Sequence, residues 1–183
     1  MVEAQQVLLA VGMAALRSVV DSLPDFSELG DVDTMACDAA RLPHGATSAT
    51  VHRFVRYIAR DSDAPGRVPG VQFEGHTDGT WFTVIPCAKQ PGLEVRTASG
   101  WCSVEEQSRH GIDVAVLSGD FLESLSNGKY KASSHRVALP ASAGVAARSS
   151  APLLMRASTS YREQCKRADR RRKGSAPPPV ANR

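Results

Sequence analysis

Two spacings of apolar residues divide the chain. Over residues 3–23, Val7, Leu8, Val11, Ala15, Val19 and Leu23 recur close to helical spacing and Pro24 ends the run, the pattern of an amphipathic helix stopped by a proline. Residues 25–49 are polar and irregular, and "RLPHGATSA" reads as a loop. From residue 50 the period shortens to two. "VHRFVRYIA", "GVQFEGHTDGTWFTVIP", "GLEVRT", "GWCSVE", "DVAVLSG", "KASSHRVALP" and "ARSSAPLLMRA" are short runs separated by Gly, Pro, Ser and Asn, as in an all-β sandwich or barrel. One interruption, "GDFLESLSNG", is helical: Asp120 is followed three residues later by Glu123, and Asn127-Gly128 closes it. A mainly β jelly-roll barrel, with an N-terminal helix and a short helix between strands, meets this description, and the interior of such a barrel is a natural cup for a ligand.

A length of 183 residues with 42% hydrophobic side chains leaves room for one ordinary domain and its tails. The expected division is a helix and loop at 1–49, the barrel at 50–158 and a tail at 159–183. "VLLAVGMAALRSVV" is too short to span a bilayer and contains Arg17. No basic residue precedes it, so it lacks the charged start of a secretory signal. A cytoplasmic monomer acting on a small molecule, with no membrane partner, is expected. Cys37, Cys87, Cys102 and Cys165 are far apart, form no C-x-x-C pair, and read as reduced thiols. The net charge of +3 hides an asymmetry: residues 161–183 hold eight Lys or Arg against two acids, leaving the remainder at −3. This basic, Pro-rich end is expected to be a disordered, solvated tail rather than a nucleic-acid-binding one. Because the last predicted strand ends near Arg156, removing residues beyond 160 is expected to leave the site unchanged.

Candidate chemistry begins in "EGHTDGTWFTVIP", residues 74–86. On a strand, His76 and Asp78 point to one face while Thr77 points away, so the two can hold one ion together. Glu74 shares that face and competes with Asp78 for the role. H-x-D alone is weak evidence, and a third ligand is needed. His135 is the other histidine inside a strong strand segment, 59 positions on, and a barrel can bring the two strands together. Two imidazoles and one carboxylate with open positions suit non-heme Fe(II); taken alone, His135 is a satisfied core histidine.

Arg148 and Ser150 stand two apart on a predicted strand, just before the apolar run 151–155. A buried guanidinium without a partner is costly, so Arg148 needs an anion. A carboxylate can accept two parallel hydrogen bonds from it, and a serine hydroxyl can add another. The competing reading is a surface ion pair.

In series, these segments resemble the 2-oxoglutarate and Fe(II)-dependent dioxygenases of the isopenicillin N synthase-like branch. "HTDGTWFTVIP" is similar to the family's H-x-D strand, "GLEVRTASGW" to the hairpin that follows, "GDFLESLSNGKYKASSHRV" to its helix and distal histidine, and "RSS" to its R-x-S pair. The resemblance covers residues 50 to about 157. It implies a double-stranded β-helix with His76, Asp78 and His135 as Fe(II) ligands. It also implies that Arg148 and Ser150 hold the distal carboxylate of 2-oxoglutarate, with Tyr57 touching the same co-substrate, and that O2 takes the remaining iron site. Gly79, Thr80 and Trp81 would border the substrate. The chain departs from the family in having only one helix and a loop before residue 50, the look of a truncated member, and in carrying Val55 where the family has an asparagine. The implied activity is hydroxylation or desaturation of a small organic molecule with release of succinate and CO2. Two alternatives remain at this level: an iron oxidase that does not use 2-oxoglutarate, and a catalytically impaired barrel that serves as a binding module.

Overall fold

The structure is a computed structural model that describes residues 2–23, 32–36, 48–58, 70–139 and 147–174. Cys37 and most of the predicted loop at 41–49 lie outside them. Among the described residues, helices α1 (Val2–Asp21), α2 (Val32–Met35), α3 (Asp120–Leu125) and α4 (Thr159–Gly174) accompany ten strands: β1 (Val51–His52), β2 (Val55–Ile58), β3 (Val71–His76), β4 (Phe82–Pro86), β5 (Leu93–Thr97), β6 (Gly100–Ser103), β7 (Val114–Ser118), β8 (His135–Ala138), β9 (Ala147–Ser150) and β10 (Leu153–Met155). Their pairings are antiparallel. The strands form two four-stranded sheets, ordered β1-β10-β4-β7 and β3-β8-β5-β6, and a two-stranded ribbon, β2-β9. This is the double-stranded β-helix that the family resemblance implies.

The ribbon continues the first sheet. Val51 pairs with Leu154, His52 with Leu153 and Val55 with Ser150, a single register interrupted opposite Arg53 by Pro152. Proline has no N–H to give to a ladder, so the hydrogen bonding breaks there. Arg53 still donates its N–H to the Pro152 carbonyl at 3.0 Å.

Strand β4 shows why the core alternates as it does. Phe82, Thr83, Val84 and Ile85 are all buried, because the strand is central in its sheet and covered on both faces. Phe82 and Val84 join Leu8, Leu16 and Val19 of α1 in a cluster outside the barrel, whereas Thr83 and Ile85 line the interior cavity. Helix α1 comes close to β10 at Gly12, where a Cβ would lie 2.7 Å from Met155 Sδ. The buried stripe of α1 therefore runs through Leu8, Gly12, Leu16 and Val19. Val7, expected on the apolar face, is 60% exposed.

The C-terminal segment differs from expectation. Residues 159–174 form α4 rather than a disordered tail. Ser158 Oγ accepts the Tyr161 N–H at 3.2 Å, the geometry of a helix N-cap. Tyr161 is buried, with its ring 5.9 Å from Trp81 and 6.4 Å from Phe121. Trp81 in turn donates Nε1–H to the Met35 carbonyl at 3.2 Å, tying in α2. A charge run need not mean disorder when its first turn carries an aromatic anchor, and the core is shared by α1, the barrel and α4. Among the described residues no helix is long and apolar enough to cross a membrane. Cys87, Cys102 and Cys165 are free thiols.

Candidate metal centre and anion clamp

His76 ends β3 and His135 begins β8, and the two are Cα partners across the ladder with ring centroids 4.3 Å apart. Asp78 lies not on the strand but in the turn beyond it. Its main chain is fixed there: the Asp78 carbonyl accepts the N–H groups of Thr80 and Asp120, each at 2.8 Å. Gly119 makes this turn possible, since a Cβ on it would stand 2.2 Å from the Thr80 carbonyl oxygen and 2.7 Å from that of Asp78. Asp78 Oδ1 is 3.7 Å from His76 Nε2, and Oδ2 is 3.6 Å from His135 Nε2. Three ligand atoms, one from each residue, lie within 4.8 Å of one another.

The surrounding hydrogen bonds orient the side chains of this group. His76 Nδ1–H donates to the Glu74 carbonyl at 2.9 Å and His135 Nδ1–H to the Ser133 carbonyl at 3.0 Å. A carbonyl can only accept, so Nδ1 of each ring carries a proton and Nε2 is the nitrogen turned toward Asp78. Burial pushes the His135 pKa below its ordinary value, against the smaller opposing effects of Ser133 and Asp78, and so favours the neutral, ligating ring. Thr83 Oγ–H donates to Asp78 Oδ2 at 2.6 Å. Glu74 contributes its backbone carbonyl and is absent from the group of three.

A cavity of about 180 Å3 in the barrel interior is lined by His76, Asp78 and His135 and also by Arg148, Ser150 and Tyr57. The ribbon register explains the second trio: Tyr57 pairs with Arg148 and Val55 with Ser150. Arg148 is 1% exposed, and its guanidinium lies 5.8 Å from the Tyr57 ring centroid. Burial raises the Tyr57 pKa more than the Arg148 charge lowers it, so the phenol stays a neutral donor. Gly79, Thr80 and Trp81 do not line this cavity, and Thr80 and Trp81 are fully buried.

Arg148 has an anion within the protein. Glu105, in the 3-10 turn Glu105–Gln107 after β6, accepts from Arg148 Nε at 3.3 Å and, in a second and shorter hydrogen bond, from Nη2. The pair is buried, so the surface ion pair is not what forms. Two residues of this site went unread in the sequence. Thr83 could have been found from β4 alternation, which places it on the interior face with Ile85. Glu105 carries no such signal beside the neighbouring Glu106.

Residues 49–157 match the 2OG-Fe(II) oxygenase superfamily. The chain belongs to that superfamily. Among solved structures, a full-length Neurospora crassa protein in complex with alpha-KG superposes with a TM-score of 0.59 at 20% identity, covering 85% of this chain and 44% of the fungal one. A Shewanella oneidensis protein that carries an oxygenase assignment is 28% identical over 60% of this chain and 39% of its own, with a TM-score of 0.49. A dioxygenase for auxin oxidation in rice is 25% identical over 61% of this chain and 37% of its own, with a TM-score of 0.44. The chain thus spans less than half the length of these structures. No curated protein matches it. Fe(II) and 2-oxoglutarate are the metal and co-substrate for which the superfamily is named. The donor set fits that metal: two imidazole nitrogens and one carboxylate oxygen converge at the cavity wall, each backed by a hydrogen bond that orients its side chain.

Proposed function

We propose that this chain is the catalytic barrel of an Fe(II)- and 2-oxoglutarate-dependent dioxygenase that hydroxylates or desaturates a small organic substrate. The observation that carries the reading is the shared cavity: His76, Asp78 and His135 on one wall, Arg148, Ser150 and Tyr57 on the β2-β9 ribbon. When bound by His76, Asp78 and His135, Fe(II) supplies the oxygen chemistry that converts 2-oxoglutarate to succinate and CO2 and oxidises a substrate carbon. The protein's own part is to hold and to exclude. Arg148 spends Nε–H and one Nη2–H on Glu105, which leaves three of its five N–H donors for the co-substrate's distal carboxylate. Ser150 and the neutral Tyr57 phenol add uncharged donors. Val55, Ile85, Leu93, Val137 and Leu154 form the apolar lining that excludes water from the same cavity.

The test is anaerobic titration of the Fe(II)-loaded protein with 2-oxoglutarate, followed by the visible charge-transfer band of the chelate. The band is expected for the parent. Arg148→Lys keeps the charge but loses the planar fork, and loss of a charge-assisted hydrogen bond of about 1.5–3 kcal/mol corresponds to binding weakened roughly 10- to 150-fold. Parent-like binding by Arg148→Lys and Arg148→Ala would remove the clamp. The Arg148–Glu105 pair favours a second reading, an iron oxidase without 2-oxoglutarate, because the buried charge is already compensated. Succinate release with turnover separates the two.

A further inference from the structure

The Glu105 carboxylate is held more firmly than its partner needs. Its side chain is fully buried, and its two oxygens accept four hydrogen bonds. Ala88 N–H reaches Oε1 at 3.1 Å and Leu93 N–H reaches Oε2 at 2.9 Å. Arg148 Nη2 also donates to Oε1, and Arg148 Nε to Oε2 at 3.3 Å. The two backbone donors belong to the β4–β5 connection and the start of β5, so the main chain aims the carboxylate, and the guanidinium aligns on it. The stem of Arg148 is pinned as well: a Cβ on Gly92 would come 2.7 Å from Arg148 Cδ. The side of the guanidinium that carries Nε is occupied by Glu105, which leaves both Nη1 protons and the second Nη2 proton, at the tip of the fork, unassigned.

Resting on the dioxygenase reading above, we propose that Glu105 is a positioning residue that aims Arg148 and thereby selects the chain length of the 2-oxo dicarboxylate bound between Arg148 and the metal. Charge alone would be served by any nearby acid. A carboxylate with both oxygens saturated on the outer side of the fork fixes where the inner end sits, and with it the distance at which a distal carboxylate can be met. Neutralising Arg148 has a second effect: the cavity presents directed donors rather than a free positive charge, so discrimination rests on geometry more than on net attraction.

The test is calorimetric titration, without oxygen, of the Fe(II)-loaded full chain with 2-oxoglutarate and with 2-oxoadipate, one methylene longer. The parent is expected to prefer 2-oxoglutarate. Glu105→Gln substitutes an amide whose NH2 meets the N–H donors of Leu93 or Arg148, so its affinity for 2-oxoglutarate is expected to fall about tenfold. Its preference over 2-oxoadipate should fall toward one, with Fe(II) affinity unchanged. In an Arg148→Ala background the same substitution is expected to add nothing. Glu105→Asp keeps the buried charge but withdraws the carboxylate, and carries the test if the Gln variant does not fold; its preference should fall too. A parent-like chain-length ratio in the folded variants, or an undiminished Glu105→Gln effect without Arg148, overturns the proposal. Failure of the parent to bind 2-oxoglutarate overturns the dioxygenase reading along with it. A strong Arg148→Ala effect with none from Glu105 overturns the positioning role alone.

Discussion

Thr83→Val removes one hydroxyl from beside the metal centre and little else. Thr83 is 2% exposed, and its proton has two oxygens within reach, Asp78 Oδ2 at 2.6 Å and Thr80 Oγ at 3.3 Å. The shorter contact is to a charged acceptor, so the proton belongs to Asp78. Without it, Asp78 Oδ2 loses the hydroxyl that orients it and the carboxylate can turn about its terminal bond. Hydrogen bonds to charged groups contribute about 1.5–3 kcal/mol, which translates into Fe(II) binding weakened about 10- to 150-fold. Loss of an outer partner of a metal ligand costs a similar factor of about 10 to 100. The assay is anaerobic Fe(II) titration against a competing chelator, with Thr83→Ser as the control that returns the hydroxyl. Folding should survive, because Val occupies nearly the volume of Thr. Equal Fe(II) affinity in the parent and the Val variant, or equal loss in the Ser and Val variants, would refute the idea that Thr83 holds Asp78 in place.

Three further outcomes are expected. Gly119→Ala forces a Cβ to within 2.2 Å of the Thr80 carbonyl, so denaturant unfolding should show a loss at the upper end of about 1–3 kcal/mol and Fe(II) titration a weakened Asp78. Deleting residues beyond 160 removes the Tyr161 ring from the core and should cost about 3–5 kcal/mol, matched by Tyr161→Ala in the full chain; urea melts of the two report it, and a parent-like truncation would separate α4 from the core. His135 has a folded-state pKa below its unfolded value, so the unfolded chain takes up the extra proton. Metal-free stability from this group is therefore complete above about pH 6.5 and declines as pH falls below it; His135→Gln should flatten that part of a stability–pH curve measured in urea.

The reach of sequence reasoning follows the range of each interaction. Strand periodicity is local, and the predicted strand segments and the helix at 119–128 therefore correspond to β1–β10 and α3. The H-x-D pair is readable because its two residues are neighbours in the chain, though their side chains are brought together by the segment after β3 rather than along the strand. His135 requires a resemblance that extends over most of the barrel. Arg148 needs an anion, as its sequence setting indicates, but the one it has lies 43 residues earlier, and nothing local separates Glu105 from the exposed Glu106. The tail departs from expectation for the opposite reason. Its composition is dominated by Lys and Arg, which masks a Ser158 cap and a single tyrosine whose value depends wholly on a distant pocket of Trp81 and Phe121.

The ladder break at Pro152 makes the barrel a pair of callipers. One jaw, with His76 and His135, is built on the β3-β8 ladder; the other, with Tyr57, Arg148 and Ser150, is built on the ribbon that continues β1-β10 past Pro152. Among the described residues no backbone ladder joins the two jaws. Leu93, Val137 and Leu154 line the cavity that lies between them. A methylene added or removed at one of these positions would reshape the cavity without altering Tyr57, Arg148 or Ser150 themselves.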